Sequence, residues 1–156
     1  MGHIAEMNMG YLLHPIGDPR VSEFENNSYR INALADRSEG FIWRLQDKGY
    51  DLPENDTGAL FGRPEVALAT LSTWESFESF EHFVYNTLHG RFVKRRAEWF
   101  EHLDEPSYVI WPIEHGHIPS LTEGKEKLLQ LKNNGPSPQA YDFAYGRQMM
   151  GGSRDV

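Results

Sequence analysis

The sequence contains no cysteine. Disulfides, thiolate nucleophiles, iron–sulfur clusters and cysteine-based zinc sites are thereby excluded. Positive charge is scarce as well: 15 Lys and Arg stand against 23 Asp and Glu, a net charge of -8 with histidine neutral. Such a surface repels phosphate backbones, so no nucleic-acid partner is expected. No apolar run approaches the roughly 20 residues of a membrane span, so no membrane partner is expected either. Met1 to Glu6 lacks the basic-then-apolar order of a signal peptide, and a cytoplasmic protein is the expectation. There is no Gly-x-Ser-x-Gly elbow, no Gly-x-Gly-x-x-Gly and no Walker pattern. Serine-hydrolase chemistry and a flavin or nicotinamide held in a Rossmann-type site are disfavoured accordingly.

What is present suits one folded domain. The 156 residues leave little room for two, and 13% aromatic side chains supply a core. His3 to Tyr11 reads as a strand, with Ala5, Met7, Met9 and Tyr11 on one side and Ile4, Glu6, Asn8 and Gly10 on the other. Asp18-Pro19 supplies an N-cap and a proline at the first helical position, opening a helix that runs to about Ser38. Phe41 to Asp47 is a second strand, in which Phe41, Trp43 and Leu45 alternate with Ile42, Arg44 and Gln46. Residues 48–65 read as a long loop, of a kind that often covers a binding site. Ala67 to Ser76 is a third strand. Phe77 to Leu103 has helical periodicity with a bend or break expected at Gly90. Tyr108 to Ile113 is a fourth strand, and Ser120 with Glu123 forms a capping-box pattern before a last helix. The domain is expected to span 1–143, with 144–156 a flexible tail.

Strand, helix, strand, strand, helix, strand is the order of an α+β, ferredoxin-like β-α-β-β-α-β protomer, here with an extra C-terminal helix. Helices on one face leave the other to be covered, most simply by a second copy, so a homodimer is expected. The polar alternate positions Glu6, Asn8, Arg44, Gln46, Thr70 and Ser72, with Trp74, are placed on the face away from the helices, as the floor of a pocket. The bland alternative is a wet dimer interface in which Arg44 pairs with Glu6.

Histidine gives and takes protons near neutral pH, which makes His89, beside Gly90, the candidate acid or base. Lys94-Arg95-Arg96 is either a solvated run paired with Glu98 and Glu101 or an anchor for a carboxylate or phosphate, with Arg96 on the side of His82 and His89. His115-Gly116-His117 lacks a third metal ligand at a recognisable spacing. His82 and His89 stand about 10 Å apart along an ideal helix, too far to share an ion. No metal is expected.

Several segments together resemble a bacterial family of unassigned function allied to the antibiotic-biosynthesis-monooxygenase-like (ABM-like) dimeric α/β barrels. They are Arg30-Ile31-Asn32-Ala33-Leu34-Ala35, Gly40-Phe41-Ile42-Trp43-Arg44-Leu45-Gln46 and Ser72-Thr73-Trp74-Glu75-Ser76. Phe83-Val84-Tyr85, His89, Arg95-Arg96-Ala97-Glu98-Trp99-Phe100, Trp111 and Gly116-His117-Ile118-Pro119 complete the likeness, which covers about residues 3–143. It implies a ferredoxin-like protomer paired into a dimeric barrel. It also implies Asn8, Arg44, Trp74, His89 and Trp111 as pocket residues; Ser72 and Arg96 join them from the strand and helix patterns. Relatives tend to carry Asn where this chain has Thr70. The expectation is a small enzyme without an organic cofactor, acting on a hydrophobic, aromatic or polyketide-like molecule by oxygenation or by proton-transfer cyclisation or isomerisation. Trp74 and Trp111 would stack on the substrate, Arg44 and Asn8 bind an enolate oxygen, and His89 move the proton. The alternatives are a haem protein with His89 as axial ligand and a dimer that binds a ligand without chemistry.

Overall fold

The computed structural model describes residues 2–86, 91 and 94–154, the last four by backbone only. Four strands form one sheet: β1 (His3–Tyr11), β2 (Phe41–Arg44), β3 (Ala67–Trp74) and β4 (Tyr108–Ile113). Their order is β2-β3-β1-β4 and every pairing is antiparallel. That is the ferredoxin-like arrangement expected from the element order. The helices are α1 (Ser22–Asp36), α2 (Thr57–Phe61), α3 (Phe77–Asn86), α4 (Leu121–Asn134) and α5 (Phe143–Arg154). Among the described residues, no helix is long and apolar enough to cross a membrane.

Alternation along the strands divides the sheet into two chemically different faces. Ile4, Trp74 and Ile110 pack with Ala35 of α1 and with Phe77, Phe80, Phe83 and Val84 of α3. Ala5, Met7, Met9, Leu71, Val109 and Trp111 lie on the reverse, against Leu121, Leu128 and Leu131 of α4. Ser120 caps α4 by accepting from the Glu123 N–H, as its sequence signature predicts. Gly124 lets this helix settle closely. A Cβ there would lie 2.5 Å from the Met7 sulfur and 3.0 Å from its Cβ. Gly124→Val is therefore expected to cost about 1–3 kcal/mol of stability by overpacking, read from denaturant melts.

These placements correct the sequence reading in several respects. The face reserved there for a second copy is covered by α4, joined by Tyr50, Leu60 and Phe61 of the 48–65 segment. That segment is not a structureless loop: it holds two short 3-10 turns and α2, and it packs away from α1 and α3. The polar floor, conversely, faces α1 and α3 rather than pointing away from them. A register irregularity between Phe41 and Trp43 also breaks the alternation assumed for β2. Phe41 opposes Trp74 and Arg44 opposes Ser72, so both share the helix-facing side, while Trp43 joins Leu45 on the reverse. At the other end of the chain, Phe143 to Arg154 is helical, and Gly146 sits directly against the Phe77 ring.

Candidate active site between the sheet and its helices

Three rows of side chains meet on the helix-facing side. Glu6, Asn8 and Gly10 follow one another along β1; Ser72 and Thr70 stand opposite Glu6 and Asn8 on β3; Ile110 and Tyr108 stand opposite them on β4. The polar groups are linked. Trp74 donates its indole N–H to Ser72 Oγ at 2.9 Å, and Ser72 donates to Glu6 Oε1 at 2.8 Å. Asn8 Nδ2 donates to Thr70 Oγ1 at 2.7 Å.

Glu6 is the unusual member. Two strands flank it, one on each side, and only 5% of its surface reaches solvent. Burial pushes its carboxyl from the ordinary 4.5 up to about 7, against smaller downward pulls from the Ser72 and Asn8 hydrogen bonds. Thr70 lies on an inner strand of the same face and is nevertheless exposed. The helical layer therefore leaves an opening over the floor there.

The sheet-facing stripe of α1 changes character along its length. Phe24 packs edge-on against Phe100 at one end, while Ile31 and Leu34 join the Trp74 cluster at the other. Between them, on the helical spacing, come Asn27 and Ser28. Their side chains donate back to the Glu23 and Glu25 carbonyls of their own helix. Both side chains are thereby turned onto their own helix.

The remaining expected site residues separate. Asn8, Ser72 and Trp74 belong to this floor. Trp74 is 0% exposed, its ring packed with Phe41, Phe80 and Phe83, so it supports the floor from within and presents no face for stacking. Arg44 is held by Asp36 of α1, Nε to Oδ1 at 2.8 Å and Nη2 to Oδ2 at 3.2 Å. The alternative Arg44–Glu6 pair is not formed, because α1 brings its own carboxylate. Trp111 is on the reverse of the sheet, buried under α4, and gives its indole N–H to Glu123 at 2.8 Å. It shares no cavity with Asn8. His89 lies outside the described residues. Arg96 rests its guanidinium over the Phe100 ring at 4.5 Å and donates to the Met9 carbonyl at 3.1 Å.

Sequence reasoning placed Glu6 on the polar floor and as an alternative partner for Arg44, but gave it no acid–base role. Its signal was available: an acid at the centre of a strand whose other residues are nearly all apolar or small. Among the described residues, no group of three or more His, Asp or Glu is arranged to hold a metal ion. His115 instead stacks on His3 at 3.8 Å, and His117 bonds Glu123 at 2.7 Å.

Fold and site together define a ferredoxin-like α+β domain with a polar cleft between its sheet and helices. The chain belongs to a family described as a domain of unknown function (DUF3291), whose model matches residues 3–153. Comparison with solved structures finds a protein of unknown function from Nitrosomonas europaea, 10% identical, covering 77% of this chain and 97% of that one, TM-score 0.50. It also finds SnoaB, a cofactor-independent oxygenase from Streptomyces nogalater, 10% identical over 74% and 96% of the two chains, TM-score 0.48. A third is the monooxygenase from ActVA-Orf6 of Streptomyces coelicolor, solved with nanaomycin D, 12% identical over 76% and 93%, TM-score 0.45. At such identities the likeness is one of fold. No curated protein matches.

Proposed function

We propose that the cleft is the active site of a small enzyme that moves a proton on a hydrophobic carbonyl compound, aromatic or polyketide-like, without an organic cofactor. The observation that supports this most directly is the buried Glu6 carboxyl, which burial poises near neutrality beside an exposed hydrogen-bonding pair. A base working at pH 7 is most effective when its pKa lies near 7. In this reading the ionised Glu6 takes a proton from the carbon next to the carbonyl. The C–H electron pair moves onto the carbonyl oxygen as an enolate. Thr70 accepts from Asn8, which leaves its own hydroxyl hydrogen to meet that oxygen. Glu6 then returns the proton to a different carbon, and the product is an isomer of the substrate. Ser72, clamped by the Trp74 N–H, keeps the carboxylate oriented. Capture of the enolate by dioxygen is the competing outcome, and activity undiminished without oxygen excludes it.

The test is deuterium exchange at the acidic carbon of benzoylacetone in heavy water, followed by NMR. The protein is expected to accelerate exchange above buffer, with a rate that rises as pH passes through about 7. Exchange no faster than buffer at every pH overturns the reading.

A further inference from the structure

We propose that Arg96 is the anchor for a carboxylate on the substrate, so that the molecule handled by this cleft is an elongated hydrophobic acid. The inference rests on reading the cleft as a substrate site. It is carried by the way the neighbouring arginines are, and Arg96 is not, neutralised by acids among the described residues.

Arg95 takes two carboxylates, Glu23 and Glu98. Arg63 takes Glu101, and Arg44 takes Asp36. Arg95 and Arg96 are both half-buried, yet no acidic side chain of the described residues bonds Arg96. Of its five N–H groups, one bonds to the described residues, on the Met9 carbonyl. A cation drawn out of water is ordinarily paired. Burial also pushes the pKa of this guanidinium down, the mark of desolvation without a compensating anion.

The position is built rather than incidental. Gly10 occupies the helix-facing row two residues beyond Asn8, and a Cβ there would come within 2.6 Å of Arg96 Nη2 and 2.8 Å of the Phe100 ring. Glycine at this point lets the guanidinium and its aromatic platform lie against the strand. A cavity of about 470 Å³ opens beside them, lined by Leu13, Phe100, Leu103 and Ser107 among others. Glu101 also borders it, but its carboxylate is committed to Arg63. The planar fork of arginine matches a two-oxygen anion. A chain with net charge -8 admits a monoanion more readily than a dianion, which favours a carboxylate over a phosphate. Four residues of strand separate Glu6 from Gly10, about 13 Å at 3.3 Å per residue. The acid group and the reacting carbon would therefore lie at opposite ends of the ligand.

Calorimetric titration with cinnamate, with its neutral counterpart cinnamyl alcohol and with phenyl phosphate tests the assignment. Cinnamate is expected to bind the unmodified protein at least about tenfold more tightly than the alcohol, the scale of a charged hydrogen bond. Arg96→Gln should reduce that ratio to near one, and Arg96→Lys, which keeps the charge but loses the fork, should leave it in between. Equal binding of acid and alcohol by the unmodified protein overturns the proposal with no variant needed, as does a ratio preserved in Arg96→Gln. Phenyl phosphate binding tenfold more tightly than cinnamate overturns the choice of carboxylate. In the unmodified protein, no acid preference alongside accelerated benzoylacetone exchange refutes this inference alone. An acid preference there that Arg96→Gln removes, without exchange, supports it and refutes the proton-transfer reading.

Discussion

Glu6→Gln is expected to slow deuterium exchange into benzoylacetone by about two to four orders of magnitude, the range that removal of a positioned acid–base group covers. The amide is the same size and can still accept from Ser72, so the loss reports on proton transfer rather than shape. The same variant carries a stability signature. Glu6 binds its proton more tightly folded, at about 7, than unfolded, near 4.5. Below pH 4.5 it is protonated in both states and its burial costs nothing extra. Between 4.5 and 7 the unfolded chain releases the proton first, so stability falls as pH rises; above 7 the whole penalty is present. For a shift of this size the penalty is on the order of 3 kcal/mol. Glu6→Gln should therefore gain on the unmodified protein as pH rises from 5 to 8, in urea melts at each pH. A constant difference across that range would show that Glu6 does not titrate there in the folded protein. The carboxylates held below their usual range, Asp18, Glu23, Glu98 and Glu101, are common to both proteins, so the comparison cancels them.

The second large effect belongs to Trp74. Trp74→Ala is expected to cost about 3–5 kcal/mol, the scale for emptying a fully buried aromatic site. The lost ring packs with Phe41, Phe80 and Phe83, three aromatics from one strand and one helix. Trp74→Phe separates packing from hydrogen bonding. It keeps most of the ring but removes the donor to Ser72 Oγ, for a stability loss of about 1 kcal/mol. Ser72 then holds Glu6 less firmly, and the Glu6 midpoint should move upward because that bond pulls it down. A midpoint unchanged in Trp74→Phe, followed by carboxyl NMR, would show that the indole acts on packing only.

The divergence between Trp74 and Trp111 shows how far alternation reaches. The two indoles belong to strands either side of β1; the strand pattern places Trp74 on the floor, and the family resemblance implies Trp111 as a pocket residue beside it. Pairing register decides otherwise: Ile4 opposes Trp74, but Ala5 opposes Trp111, so the rings leave the sheet on opposite sides. Arg95 and Arg96 diverge likewise. As adjacent residues at the end of a helical pattern they look equivalent, yet one meets Glu23 from α1 and the other meets the β1 backbone at Gly10.

The sequence alone determined the order of elements, the cap at Ser120 and the set of polar residues sharing one side of β1 and β3, because those follow from local spacing and short-range hydrogen bonds. It excluded thiol chemistry by composition. Only the tertiary structure decided which face α1 and α3 cover, that α4 takes the reverse, that Arg44 goes to Asp36, and that Glu6 sits dry while Arg96 meets no acid among the described residues. A period of two says which side chains stand together, not what is packed above them. Charge state and accessibility depend on that long-range packing, and so the chemistry of the cleft is a property of the assembled layers.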